Sequence, residues 1–210
     1  MTRRLKALFK DGFYVLLCVF LTLIAKTLFR LRVTGREMVE KGNGYIAIAR
    51  HRSYWDIPFL AVALGWQNRV HFIARKGLLR NPIFGPLIRL YATAIDRERF
   101  SKTNLRHTLR ALRQERLIGI FPEGTTRRRV DPKAGAIHFA RLTGKELLPL
   151  NIQANGPYPP RYPFRFPQVT ISIGRPFVIA ELEDETVKAD TRAEHYRLLS
   201  KRLMERVDAS

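Results

Sequence analysis

Apolar and polar positions alternate along the chain in blocks that predict strands followed by helices. Two short apolar runs, GYIAIA (residues 44–49) and LIGIF (117–121), are typical of buried strands. The first run is followed by a polar turn and then by apolar residues at helical spacing, namely Trp55, Phe59, Val62 and Ala63. This alternation predicts an α/β fold, with a largely parallel central sheet flanked by helices and ligands bound at the carboxyl edge of the sheet.

The rest of the chain continues the same order. Strands are expected within 31–44, at 69–76, 91–97, 117–121 and 145–153, and within 168–180, and helices at 102–115 and 134–143. An amphipathic helix is expected at the C-terminus, with its apolar stripe packed on the core: Tyr196, Leu199, Leu203 and Val207. Prolines and glycines predict a broken helix or hydrophobic loop at 81–91 and a loop at 154–167.

The N-terminal segment has the pattern of a membrane-associating helix. Basic residues flank an uncharged apolar run from Gly12 to Ala25, whose fourteen residues cover about 21 Å as a helix, short of the roughly 30 Å of a bilayer core. We therefore predict a helix that lies in or dips into one leaflet, with its cations at the headgroups. The alternative is a helix that caps the domain's own core. Residues 1–30 are assigned to this segment and residues 31–210 to the globular domain.

The net charge constrains the possible partners of this chain more than its composition does. The 210 residues fit one domain, but 38 Lys and Arg against 18 Asp and Glu give a net charge of +20. Such a surplus implies a polyanionic partner, which can be nucleic acid, an anionic membrane surface or an acidic carrier protein. The single cysteine excludes an intrachain disulfide, and the five histidines are scattered, so no metal site and no cofactor are expected.

His51 and Asp56 are the first candidate for chemistry, because they lie five positions apart just after the first strand. At the start of the following helix, the carboxylate can reach the imidazole. A carboxylate on Nδ1 fixes the tautomer and leaves Nε2 free as a base. The alternative is a surface histidine and an unrelated acidic residue at a helix start. We expect Ser53 to serve as a helix cap or a loop hydrogen-bonding residue.

The second candidate is the turn FPEGTT, residues 121–126, which is followed by Arg127, Arg128 and Arg129. Backbone N–H groups, threonine hydroxyls and guanidinium groups in such a turn can converge on an anion, and a phosphate fits this donor set. The alternative is an ordinary solvated run of charges after a β-turn.

Together these motifs resemble a known family. His51 with Asp56, the stretch from Lys76 to Arg97, FPEGTT and LLPLNI (residues 147–152) are similar to the four blocks of the glycerolipid acyltransferases that include the 1-acylglycerol-3-phosphate acyltransferases. The resemblance spans residues 45–153. Two positions depart from the family pattern: Arg50 replaces the usual asparagine before the histidine, and Thr126 replaces the usual arginine after Glu-Gly-Thr.

The resemblance implies transfer of an acyl group from acyl-CoA or acyl carrier protein to the free hydroxyl of 1-acylglycerol 3-phosphate, which makes phosphatidic acid for phospholipid biosynthesis. It implies that His51 is the base and that Asp56 orients it. The implied phosphate-binding residues are Arg97, Glu123, Gly124, Thr125, Thr126 and Arg127. The implied acyl-donor or acyl-chain region contains Lys76, Pro82, Phe84, Gly85 and Pro149. Glu123 is expected to orient an arginine or backbone N–H groups, since a carboxylate repels phosphate.

Other readings of the sequence stay open. Another lysolipid or glycerol 3-phosphate can be the acceptor. A different class of protein, a non-catalytic basic module that binds nucleic acid or anionic membranes, also fits the charge. Such a module needs neither an aspartate five residues after a histidine nor Glu-Gly-Thr at a strand exit, so the enzyme is favoured. We expect an anionic membrane surface as partner, no nucleic acid, and a place on the cytoplasmic face of the inner or plasma membrane.

Overall fold

The structure is a computed structural model that describes residues 3–82, 84–96, 102–126, 130–163, 165–183 and 189–210. Helices and strands follow one another as the sequence predicts. The helices are α1 (Arg3–Leu28), α2 (Asp56–Leu64), α3 (Phe84–Tyr91), α4 (Lys102–Gln114), α5 (Gly135–Thr143) and α6 (Arg192–Asp208). The strands are β1 (Arg32–Thr34), β2 (Tyr45–Ile48), β3 (Val70–Arg75), β4 (Ala92–Ile95), β5 (Leu117–Ile120), β6 (Glu146–Asn155) and β7 (Gln168–Ile173).

The seven strands form one sheet in the order β1-β7-β6-β2-β5-β3-β4. Strands β6, β2, β5, β3 and β4 are mutually parallel. Strand β7 pairs with β6 in the antiparallel direction and with β1 in the parallel direction, so this pair of strands opposes the other five. The prediction of a largely parallel central sheet flanked by helices is confirmed.

Helices cover both faces of the sheet. On one face, α1 and α2 pack over the strands through a core that includes Phe29 and Phe59. On the other face, α4, α5 and α6 pack over a second core through Leu112, Ile137 and Leu199. The predicted stripe of α6 is buried along its whole length, as expected: Tyr196, Leu199, Leu203 and Val207. Apolar burial on both faces is what requires the strands to be almost continuously apolar.

The N-terminal helix is longer than the apolar run predicts. Residues Leu8–Leu28 form a helical segment of 21 residues with mean hydropathy 1.9, which extends over about 32 Å. By length and composition this segment is long enough to cross a membrane, which corrects the expectation that it is too short. At its C-terminal end the helix extends past the run and has Lys26 in its last turn, where a cation is favourable. Only 17% of its most apolar window is buried within the protein.

The proline-interrupted segment at 81–91 contains a short regular helix. Helix α3 begins at Phe84, so Pro86 falls in its first turn, where a missing backbone N–H removes no intrahelical hydrogen bond. Gly85 is tightly enclosed: a Cβ there would lie 2.6 Å from the carbonyl oxygen of Leu79. The prolines therefore mark the start of a regular helix, where the sequence predicts either a broken helix or a loop.

Candidate active site

The two candidate motifs follow neighbouring strands of the sheet. Strands β2 and β5 are parallel neighbours, with Ile48 opposite Ile120. Because both strands end at the same edge, the loop that carries His51 lies against the turn that starts at Phe121. The rings of His51 and Phe121 stack with their centroids 4.5 Å apart. Adjacent parallel strands thus place the two predicted motifs at one site, although 72 positions separate His51 from Glu123 along the chain.

His51 and Asp56 form the expected pair. Nδ1 of His51 lies 3.3 Å from Oδ2 of Asp56. The Asp56 side chain is fully buried, whereas the His51 ring keeps a small exposed fraction. Asp56 is the first residue of α2, where the positive end of the helix dipole favours a carboxylate. With the proton on Nδ1 facing Asp56, Nε2 is left as the proton acceptor.

Asp56 also holds the loop between β2 and α2 in shape. Its Oδ2 accepts hydrogen bonds from the backbone N–H groups of Arg52, at 2.6 Å, and Ser53, at 2.7 Å. Its other oxygen, Oδ1, accepts from the hydroxyl of Tyr158. The Ser53 hydroxyl oxygen accepts from the N–H of Trp55 at 3.3 Å, which is the loop role expected for it. One buried carboxylate therefore supports both the imidazole and the backbone around it.

A second carboxylate supports the histidine from the other side. Oε2 of Glu123 accepts from the backbone N–H of His51 at 2.8 Å, and Oε1 accepts from the Arg50 guanidinium at 2.8 Å. These are the two kinds of partner that the sequence analysis expects for Glu123. Arg50 also binds both carboxylate oxygens of Asp208, at 2.6 and 2.5 Å. The hydrogen bonds that Arg50 donates to Asp208, and then to Glu123, raise the pKa of Arg50 above its ordinary value.

An apolar cavity of about 580 Å³ opens beside the histidine. Its walls come from α1, α2, β3 and α3, and include Leu17, Ala61, Phe72 and Leu87. His51 and Gly124 belong to the same lining. Gly124 has φ 65°, a left-handed conformation that suits glycine and turns the chain at this point. The cavity can take a long apolar group whose reactive end lies at the histidine.

The residues implied by the family resemblance lie in three places. Glu123, Gly124, Thr125 and Thr126 follow β5 beside His51, and Phe84 lines the cavity. Lys76, Pro82 and Gly85 belong to the segment around the start of α3, and Nζ of Lys76 lies 3.9 Å from Asp96. Pro149 pairs with Ile48 inside the sheet and does not line the cavity. Arg97 and Arg127 lie outside the described residues.

Three contacts at the site were missed by the sequence analysis. Tyr158 lies in the proline-rich loop after β6, and Asp208 is the last residue of α6. Arg50 was noted only as a departure from the family pattern. No local pattern announces such partners, because they depend on how distant segments return to the sheet edge. Within the described ranges, no group of three or more His, Cys, Asp and Glu residues is placed to hold a metal ion.

Comparisons with known proteins find matches to a single family. The family model described as Acyltransferase matches residues 30–153, more than half of the chain. The 1-acyl-sn-glycerol-3-phosphate acyltransferase of Bacillus subtilis (strain 168) is 26% identical over 174 residues, which are 80% of this chain and 86% of that protein. The protein of the same name from Streptococcus pneumoniae (strain ATCC BAA-255 / R6) is 30% identical over 170 residues, 77% of this chain and 63% of that protein.

A solved structure shares the fold. The crystal structure of the 1-acyl-sn-glycerophosphate (LPA) acyltransferase, PlsC, from Thermotoga maritima matches with a TM-score of 0.71. The match covers 100% of this chain and 81% of that one, at 24% sequence identity.

Proposed function

This chain belongs to the acyltransferase family, and on that premise we propose that it acylates the free hydroxyl of 1-acylglycerol 3-phosphate to make phosphatidic acid. The acyl donor is a thioester of coenzyme A or of acyl carrier protein. The names of the two relatives from Bacillus subtilis and Streptococcus pneumoniae support this acceptor. The observation that carries the proposal is the His51 and Asp56 pair, whose histidine lines an apolar cavity.

His51 acts as the general base in this proposal. Its Nε2 takes the proton from the acceptor hydroxyl while the hydroxyl oxygen attacks the thioester carbonyl carbon. Asp56 holds the imidazole through Nδ1 and stabilises the imidazolium that forms. Collapse of the tetrahedral intermediate breaks the carbon–sulfur bond, and His51 returns the proton to the leaving thiolate. The acyl group passes directly from the donor to the acceptor, and Ser53 carries no acyl intermediate.

The phosphate of the acceptor is bound at the turn after β5. Gly124, Thr125 and Thr126 supply backbone and hydroxyl donors there, and Arg97 and Arg127 supply positive charge. Glu123 stays off the phosphate, because both of its oxygens are engaged by Arg50 and by the His51 N–H. A hydrogen bond to a charged group contributes about 1.5 to 3 kcal/mol, so two arginines suffice to select a phosphate-bearing acceptor over a neutral lysolipid.

The cavity holds the fatty acyl chain with its thioester end near His51. Its lining is almost entirely apolar, and Phe84 contributes to it. Lys76 at the end of β3 is available to the donor's polar part, since its side chain is 66% exposed. Each buried methylene contributes about 0.8 kcal/mol, so a cavity of this size binds a long chain firmly.

The protein works on an anionic membrane surface in this proposal, on the cytoplasmic side of the inner or plasma membrane. Helix α1 exposes large apolar side chains, among them Leu16, Phe20 and Leu23. The net charge of +20 attracts anionic headgroups, and both substrates carry phosphate. Nucleic acid is not a partner, because the charge serves the membrane and the substrates.

The experiment is a lipid-product analysis of the purified full chain. The protein is offered lysophosphatidic acid, glycerol 3-phosphate or a neutral lysolipid, each with acyl-CoA and with acyl carrier protein thioester. We expect phosphatidic acid from lysophosphatidic acid, with little product from the neutral lysolipid. Acylation of glycerol 3-phosphate alone, or of the neutral lysolipid at an equal rate, would contradict the proposed acceptor.

A further inference from the structure

Tyr158 reaches the active site from a segment outside the residues that the family model matches. It lies in the proline-rich loop between β6 and β7, beyond residue 153. Its hydroxyl donates a hydrogen bond to Oδ1 of Asp56. The other carboxylate oxygen, Oδ2, receives His51 and the loop N–H groups of Arg52 and Ser53. The two oxygens of Asp56 therefore have different partners.

We propose that Tyr158 is a positioning residue for the acyl transfer, which acts on His51 through the carboxylate of Asp56. It holds Oδ1 so that Oδ2 faces the imidazole, and it withdraws negative charge from the carboxylate. The inference deepens the proposed function, because it rests on His51 being the general base. Tyr158 itself touches neither substrate.

The surroundings of Tyr158 fix its role as a donor. Burial, and after it the negative charge of Asp56, raises the pKa of the Tyr158 phenol far above its ordinary value. The phenol therefore stays protonated over the whole working range, and its proton is directed to Asp56. The Arg52 guanidinium lies 5.5 Å from the centre of the ring.

The consequence is that the Tyr158 hydroxyl affects the protonation of the His51 imidazole. A donor on Oδ1 spreads the carboxylate charge, so Asp56 stabilises an imidazolium less than an undonated carboxylate does. Within the described ranges, the charged groups near the pair include Arg52 beside Tyr158, Glu123 on the His51 N–H, and Arg50 on Glu123. These partners are retained when only the Tyr158 hydroxyl is removed, so the change isolates the contribution of that hydroxyl.

Tyr158→Phe removes this hydroxyl and keeps the ring. We expect kcat to fall roughly 3- to 30-fold with small changes in both KM values, because a general base contributes about 10²- to 10⁴-fold and is here only misaligned. The acid limb of the kcat profile should move to higher pH by about 0.5 to 1 unit. The sign follows because the variant's carboxylate holds the imidazolium more strongly, so protonation removes the base at higher pH.

The matched control is Tyr196→Phe, which deletes a hydroxyl that accepts from Arg141 on the far helix layer. Its pH profile should match that of the wild type. A purely structural role for Tyr158 predicts a lower melting temperature with an unmoved acid limb. That result, or an unchanged kcat and profile in Tyr158→Phe, would overturn the inference.

Two further measurements test the inference, and the second does not depend on turnover. Site-specific 3-fluorotyrosine at position 158 makes a stronger donor and should move the acid limb to lower pH. Histidine NMR, with His51 assigned by its loss in His51→Ala, should show the His51 ring titrating at higher pH in Tyr158→Phe than in the wild type. An inactive wild type with this NMR shift contradicts the proposed function alone, whereas an active wild type without the shift contradicts the inference alone.

Discussion

Replacing Asp56 with alanine tests the contribution of its carboxylate to the stability of the fold. The carboxylate is fully buried and accepts from the N–H groups of Arg52 and Ser53 and from the Tyr158 hydroxyl. Alanine leaves these three donors without an acceptor in the protein interior. Each unsatisfied buried donor costs about 1 to 3 kcal/mol. Because water can enter part of the gap, we expect a loss of about 3 to 5 kcal/mol in the free energy of unfolding.

The assay is thermal unfolding of the detergent-solubilised chain, followed by circular dichroism. For a protein of this length, 1 kcal/mol corresponds to about 2 to 4 °C in Tm, so Asp56→Ala should melt roughly 6 to 20 °C below the wild type. The control is Asp11→Ala, which deletes a carboxylate that is 61% exposed and pairs with Arg69 at 3.2 Å. An exposed ion pair contributes at most about 1 kcal/mol, so the control should lose less than about 4 °C.

The outcome that refutes this reasoning is a Tm for Asp56→Ala equal to that of the Asp11→Ala control. Such a result means that the loop before α2 is held by other contacts and that Asp56 serves the histidine alone.

Three further predictions address binding and chemistry. Arg97→Ala and Arg127→Ala should each raise the KM for the phosphate-bearing acceptor roughly 10- to 100-fold and leave the donor KM nearly unchanged; a change in the donor KM alone reassigns them to the donor. Ala61→Trp narrows the cavity and should shift donor preference toward chains two or three methylenes shorter, about 0.8 kcal/mol for each methylene lost; equal chain preference places the acyl chain elsewhere. Mass spectrometry of enzyme incubated with donor alone should find no acyl group on Ser53, and a stoichiometric adduct there would overturn direct transfer.

The sequence predicts the sheet and the His51 and Asp56 pair because both depend on local patterns. Apolar runs of four to six residues specify strands that are buried on both faces, and the helix after His51 brings Asp56 back over the strand end. The two residues are five positions apart, so one turn and one helix start determine their geometry. The position of the 121–126 turn beside them follows from the parallel pairing of β2 and β5.

The remaining contacts depend on long-range packing that no local pattern encodes. Tyr158 and Asp208 lie 102 and 158 positions from their partners Asp56 and Arg50. Their approach is set by how the loop after β6 and the end of α6 return to the carboxyl edge of the sheet. The apolar run alone underestimates the length of α1, because the charged residues that flank the run, Lys10, Asp11 and Lys26, lie within the helix.

The most direct test of the account is the turnover of His51→Ala with lysophosphatidic acid and a long-chain acyl thioester, measured beside the wild type by product analysis. The general-base role predicts a loss of roughly two to four orders of magnitude in kcat, with a circular dichroism spectrum like that of the wild type. Near-full activity in a folded His51→Ala protein would contradict the central claim that this imidazole takes the proton of the acceptor hydroxyl.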